Sequence, residues 1–212
     1  MDKAKIVLDH MRVPGPYGNT YFLGSRAIRL TFLSQQQRAF NLIWALLEKR
    51  QLGKNVAVIG GGLGGMTAAI AAQQAGAKVV LYERRGDLLH LQRGCQLRFI
   101  HPNVYDWPDE LSSQPYTRLP CLNWGADMAV RVVEAILTQW EEVGGNIRTL
   151  LNHEVRQIMS LGDGQTQLLS EGPSVHQKGY DSVVIAVGFG LERTLPRCHF
   201  FPIGRTTILA VL

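Results

Sequence analysis

The sequence predicts an α/β protein: a Rossmann-like parallel sheet, a small antiparallel β-meander, and an N-terminal strand–helix extension. Three observations carry this. Short apolar runs, V-A-V-I at 56–59 and S-V-V-I-A-V at 182–187, have the pattern of strands buried on both faces. An Ala-rich helical stretch at 66–75 separates the first run from K-V-V-L-Y at 78–82, which is the order of a βαβ unit with a right-handed crossover. Between 154 and 178, short strand-like pieces are broken by Gly162, Gly164, Gly172 and Pro173, as in a meander.

From the N-terminus, 11–19 is rich in turn formers and reads as a loop. Residues 20–33 read as strand, with Ile28, Leu30 and Phe32 alternating with Arg29 and Thr31. Ser34 followed by Gln37 reads as a capping box that opens a helix. In that helix Phe40, Ile43, Trp44 and Leu47 form the apolar face, and Gly53 is the stop. Gly76 stops the Ala-rich helix. Residues 86–124 have weak periodicity with interspersed proline and glycine, the mark of a long irregular connection, and such loops are often functional. A helix over 126–143 presents Val132, Val133, Ile136, Leu137, Trp140 and Val143 and stops at Gly144 and Gly145. Residues 147–151 give a third parallel strand, and 182–187 a fourth that ends at Gly188. The expected divisions are an N-terminal extension at 1–53, a nucleotide-binding domain at 54–193 and an atypical apolar tail at 194–212.

Composition sets bounds on function. With 46% hydrophobic and 18% charged residues there is material for a core, yet no apolar run reaches the roughly 18 residues of a membrane span. The first ten residues mix Lys3, Lys5, Asp2 and Asp9 and do not read as a secretory signal. Cys95, Cys121 and Cys198 are few and scattered, which argues against a disulfide scaffold and fits a cytoplasmic protein. No C-x-x-C pair supports a dithiol redox centre, and zinc-ligand spacing is missing, so no metal is expected. Residues 1–55 hold nine Lys and Arg against three Asp and Glu, a net of +6, whereas the remainder is close to neutral. Without a nucleic-acid module this basic arm reads as a solvated face; neither nucleic acid nor membrane is an expected partner.

The chemistry is concentrated in V-A-V-I-G-G-G-L-G-G-M-T-A-A. Gly60, Gly62 and Gly65 satisfy G-x-G-x-x-G, a weak signal alone, but here it follows a strand, opens a helix and is followed by Glu83 at the end of the next strand. Gly60 permits the tight turn, Gly62 lets backbone N–H groups approach a pyrophosphate, and Gly65 lets the helix lie close to the strands. The helix N-terminus, through the N–H groups around Leu63 and Gly64, then favours the phosphate charge. Glu83 is expected to accept ribose hydroxyls and to repel a 2′-phosphate, which favours FAD or NAD over NADP, although Arg84 and Arg85 weaken that exclusion.

The run from Val56 to Arg84 resembles the FAD-binding segment of FAD-dependent oxidoreductases in the FAD/NAD(P)-binding Rossmann superfamily. D-S-V-V-I-A-V-G-F-G at 181–190 resembles the second nucleotide-side motif of that superfamily, with Val187 where Thr is usual, and implies contacts at Ala186 and Gly188. The segment ending in H-E-V resembles the place where a backbone group of Val155 would meet adenine. R-F-I-H-P-N-V-Y-D-W-P at 98–108 and L-P-C-L-N-W at 119–124 resemble a bacterial subgroup of these oxidoreductases and imply no substrate.

The resemblance implies an enzyme moving hydride or electrons through FAD, with NAD(P)H as a candidate electron donor. A non-catalytic module that binds FAD or NAD, and an NAD-dependent dehydrogenase, remain open beside it. Arg98, His101, Tyr105, Trp107, Asn123 and Trp124 are the candidates for the flavin side. Trp107 and Trp124 fit core or loop anchors better than ring stackers, and His101 a hydrogen-bonded loop residue better than an acid or base, so no catalytic residue is assigned. Such flavoproteins continue into a substrate domain and a late Gly-Asp segment, whereas 22 residues follow Gly190. The sequence is therefore expected to be a C-terminally truncated member with an incomplete flavin half. Its last thirteen residues include eight apolar ones and no acid, and are expected to favour a homo-oligomer or other association.

Overall fold

A computed structural model describes residues 1–24, 30–104, 113–161, 164–188, 202–203 and 206–210. The elements in chain order are α1 (Lys3–Met11), β1 (Thr20–Phe22), α2 (Phe32–Glu48), β2 (Asn55–Ile59), α3 (Leu63–Gln74), β3 (Lys78–Glu83) and the one-turn α4 (His90–Arg93). There follow β4 (Phe99–Ile100), β5 (Asp127–Met128), α5 (Ala129–Val143), β6 (Arg148–Leu151), β7 (Glu154–Ser160), β8 (Thr166–Glu171), β9 (His176–Tyr180), β10 (Ser182–Ile185), β11 (Pro202–Ile203) and β12 (Thr206–Ala210).

The architecture is α/β and Rossmann-like. A five-stranded sheet runs in the order β1-β10-β2-β3-β6, parallel throughout. β7, β8 and β9 form an antiparallel meander, and the backbone of β12 adds to β7, with β11 outermost. β4 and β5 pair as a small separate ribbon inside and after the irregular connection. Among the described residues no helix is long and apolar enough to cross a membrane.

Alternation along the strands explains why they read as unbroken apolar runs. Val56, Val58, Val79, Leu81 and Val184 face one way, into a core shared with α1, α2, α3 and α5. Ala57, Ile59, Val80, Tyr82, Val183 and Ile185 face the other way, against Val155, Ile158, Leu168 and Tyr180 of the meander. Both faces are covered, so the strand centres, V-A-V-I in β2, V-V-L in β3 and V-V-I in β10, are unbroken apolar runs.

The N-terminal third departs most from expectation. Lys3–Met11 forms a helix that the mixed charges conceal; Asp2 caps it by accepting from the Lys5 N–H, and only Ala4, Leu8 and Met11 are buried. Within 20–33 only Thr20–Phe22 is strand, and Ile28 and Arg29 lie outside the described residues. Phe32 is already helical. The capping box is Thr31 with Ser34, not Ser34 with Gln37: the Thr31 hydroxyl accepts from the Ser34 N–H at 3.0 Å, and the Ser34 hydroxyl accepts from the Thr31 N–H at 2.9 Å. The buried face of α2 carries Gln36, Ala39, Leu42, Ile43, Ala45 and Leu46, whereas Trp44 and Leu47 are 44% and 45% exposed. Two stripes of helical spacing overlap here, and the one with small residues lets α2 lie against α3. The helix ends at Glu48, with Arg50 in the left-handed conformation (φ 52°), ahead of Gly53. α5 likewise starts at Ala129, because Asp127 and Met128 pair with β4.

A buried polar chain ties the meander to the sheet. The Tyr82 hydroxyl lies 2.6 Å from the Tyr180 hydroxyl and 2.7 Å from His176 Nδ1. With neutral His176 accepting, Tyr180 donates to Tyr82 and Tyr82 donates to His176, so both hydroxyl protons are used. A proton on Nδ1 reverses the run and leaves the Tyr180 hydroxyl, which is fully buried, without its acceptor. Burial holds His176 below its ordinary value of 6.5, and the nearby Arg148, Lys178 and His153 add to this. The unfolded chain therefore binds the proton more readily. The stabilising contribution is complete above about pH 6.5 and is lost as pH falls through the lower folded value. Chemical denaturation across pH 5 to 8 should show a fall in stability below about 6.5 that His176→Gln flattens; an equal slope in both proteins would contradict this assignment.

Candidate functional site

The β1-α2-β2 and β2-α3-β3 crossovers place the starts of both helices at the carboxyl edge of the parallel sheet, the position where open α/β sheets bind ligands. The two helix starts differ. α2 is closed by its own capping box. α3 begins after Gly62, which supplies no side-chain cap, and its first turn holds no acidic residue. The orphan N–H groups at the start of α3 are thus left for something other than a side-chain cap.

The glycines build the turn by two constraints. Gly60 has φ +113°, and a Cβ there would lie 2.4 Å from the Ala186 carbonyl oxygen. A Cβ on Gly65 would lie 2.0 Å from the Gly60 carbonyl oxygen, so the helix can approach the strand only as glycine. By contrast a Cβ on Gly62 meets nothing within 4 Å, which leaves an open cradle at the N-cap. Gly64 lies against Gln35 of α2, and Leu63 turns its side chain into the core while its N–H begins the helix.

Glu83 reaches back to this turn. Its Oε2 accepts from the Gly61 N–H at 2.6 Å and its Oε1 from the Arg85 N–H at 2.7 Å. The carboxylate therefore fixes the turn and still has further lone pairs to offer, a structural duty that the sequence spacing alone does not disclose. Arg84 is exposed at the strand end. The His153 N–H donates to the Glu83 carbonyl at 2.9 Å, which brings the start of β7 against the end of β3. Val155 is buried by its side chain, and a register shift between Val155 and Gln157 interrupts the ladder beside it. Ala186 donates its N–H to the Ile59 carbonyl, and Gly188 follows with φ +85° and open space at its Cα. Gly60, Gly62, Leu63, Gly64, Gly65, Glu83, Ala186 and Gly188 thus surround one sheet edge, with Val155 on the adjoining meander.

Among the described residues, the flavin-side candidates Arg98, His101, Asn123 and Trp124 do not assemble into a site. Trp124 is buried, donates its indole N–H to Gln36 Oε1 at 2.9 Å and meets Phe32 edge-on. Asn123 organises its loop through Thr117, Leu119 and Gln139. The His101 Nδ1 accepts from the Asn103 N–H, and Arg98 has an exposed side chain and gives its carbonyl to Ala129. Tyr105 and Trp107 lie outside the described residues. Cys95 and Cys121 are free thiols, and burial pushes Cys121 up to about 11, far from a reactive thiolate. Among the described residues no group of three or more His, Cys, Asp or Glu gathers to hold a metal. Two open hollows, of about 610 and 390 Å³, are lined by Lys78 and Arg148 and by Gly53 and Asp181, away from the glycine turn.

If Glu83 serves both the turn and a ribose, Glu83→Gln should lower nucleotide affinity about tenfold and narrow the preference against a 2′-phosphate. Titrations with NADH and NADPH read this; an unchanged ratio of affinities would count against the ribose role.

Comparison with known proteins agrees with this geometry. The profile of pyridine nucleotide-disulphide oxidoreductases matches residues 54–200, more than half of the chain. No curated protein matches it. Among solved structures, the chain is similar to a NAD-dependent persulfide reductase from A. fulgidus, with 16% identity and a TM-score of 0.40 over 68% of this chain and 20% of that one. It is similar to the HOCl-induced flavoprotein disulfide reductase RclA from Escherichia coli, with 19% identity and a TM-score of 0.40 over 84% and 26% of the two chains. It is also similar to the ferredoxin reductase for the CYP199A2 system from Rhodopseudomonas palustris, with 17% identity and a TM-score of 0.42 over 69% and 27%. The chain thus spans 20%, 26% and 27% of these three in turn.

Proposed function

Because the chain belongs to the pyridine nucleotide-disulphide oxidoreductases, we propose that its glycine turn holds the ADP half of FAD, within an oxidoreductase that transfers hydride or electrons to a substrate its sequence does not specify. The observation that carries this is the open start of α3: an uncapped helix N-terminus whose N-cap glycine leaves an empty cradle, set between Glu83 and Gly188.

The residues fit the group. The backbone N–H groups of Gly62, Leu63 and Gly64 and the positive end of the α3 dipole would hold the pyrophosphate. Gly60 and Gly65 let the backbone come close enough to do so. Glu83 would accept the ribose hydroxyls, with Arg84 beside it, and the backbone at Val155 would meet adenine. Ala186 and Gly188 would line the sheet edge toward the rest of the cofactor. Bound flavin supplies the hydride and electron chemistry that amino-acid side chains lack. NAD(P)H is the proposed electron donor.

Extraction of purified protein, with chromatographic identification of the nucleotide, tests this reading. FAD in the extract, with visible absorbance that bleaches on addition of NADH or NADPH, is the expected result. Nucleotide without a reducible flavin would replace the oxidoreductase reading by that of a binding module, and NAD alone by that of a dehydrogenase.

A further inference from the structure

The meander carries one position that breaks its own pattern. Thr166, Leu168 and Ser170 of β8 turn into the protein, and their partners across the ladder are Tyr180, Lys178 and His176. Lys178 thus occupies a core-facing place on β9. Its ammonium lies over the Tyr180 ring, 5.4 Å from the ring centre.

Two more cations meet it. Lys78 opens β3 on the side of Val80 and Tyr82, and Arg148 opens β6 as the partner of Val80, so both stand on the meander face of the parallel sheet. With Lys178 they line the hollow of about 610 Å³, to which Gln73, Gln74 and Asn146 add carboxamides. No carboxylate lines it, and among the described residues none pairs with Lys78, Arg148 or Lys178. The charges of Arg148 and Lys178 also reach His176, which burial holds below its ordinary value. Like charges gathered on one hollow repel one another and focus a positive potential there. A charge facing inward can guard a strand edge, and β6 and β9 are edge strands. β3 is an interior strand, so Lys78 has no edge to guard.

We propose that this hollow is an anion-binding site that takes a phosphorylated small molecule, with Arg148, Lys78 and Lys178 donating to its phosphate oxygens. It lies at the amino edge of the parallel sheet, opposite to the glycine turn, and does not depend on the nucleotide reading. The Arg148 guanidinium offers a planar fork that matches two phosphate oxygens, and the two ammonium groups supply point charges on flexible stems. The hollow is of the size that holds a small ligand.

The test titrates the full chain with inorganic pyrophosphate, followed by calorimetry and by the NMR ring resonances of Tyr180, which lies beneath Lys178. Saturable binding that shifts those resonances is the expected result. Lys178→Gln and Arg148→Gln should each weaken it about tenfold. Lys3→Gln, the same loss of charge on α1 at the other face of the sheet, should leave the affinity unchanged. Acetate at equal concentration, with one carboxylate, should leave the Tyr180 resonances in place. Undiminished affinity in either hollow variant, an equal loss in Lys3→Gln, or an equal response to acetate overturns the proposal. Tyr180 resonances that pyrophosphate does not move also overturn it, and pyrophosphate bound at the glycine turn alone would give that result while leaving the nucleotide reading standing.

Discussion

Gly62→Ala should leave the protein folded and lower its affinity for an adenine dinucleotide by about tenfold or more. The backbone at Gly62 (φ −77°, ψ 172°) suits alanine, and the added methyl meets no atom within 4 Å. The expected fold cost is that of an N-cap change, below about 1 kcal/mol. The methyl would instead stand in the cradle where the phosphates must approach the N–H groups of α3. Thermal melts beside nucleotide titrations check this; equal affinity in the two proteins would mean that the cradle is merely a turn.

Gly65→Ala should do the reverse and damage the fold first. Its Cβ would come within 2.0 Å of the Gly60 carbonyl oxygen, 3.1 Å of the Gly60 carbonyl carbon and 3.3 Å of the Ala186 side chain. Backbone atoms cannot swing aside as a flexible side chain can, so α3 must lift from β2 and disturb the core cluster it shares with α2 and the sheet. Overpacking of this kind costs roughly 3 kcal/mol, a fall in Tm on the order of 10 °C for a chain of this size. A variant that melts like the wild type would show that the helix is not pressed against the strand as described.

The contrast between these glycines bears on what the sequence discloses. The motif marks Gly60, Gly62 and Gly65 alike, yet the fold requires glycine at two of them and leaves open space at Gly62. The parallel strands are legible because burial on both faces leaves unbroken runs such as V-A-V-I, and the meander because Gly and Pro punctuate it. The start of α2 is misleading because Thr31, Phe32 and Leu33 favour a strand locally, and the Thr31–Ser34 cap overrides them with tertiary support. The place of β10 between β1 and β2 is a matter of pairing over more than a hundred residues, which no local pattern encodes. In the site, the sequence marks Glu83 by its distance from Gly60, but its bond to the Gly61 N–H depends on the turn closing back over the strand end.

The proposal that the open start of α3 holds the ADP half of a flavin nucleotide is tested most directly by calorimetric titration of the purified chain with ADP and with riboflavin. ADP, which carries the pyrophosphate and ribose that the glycine turn and Glu83 would hold, should bind with saturable one-to-one stoichiometry, and riboflavin, which lacks both, should not. Riboflavin binding without ADP binding, or no response to either, would contradict the assignment of this edge of the sheet to the nucleotide.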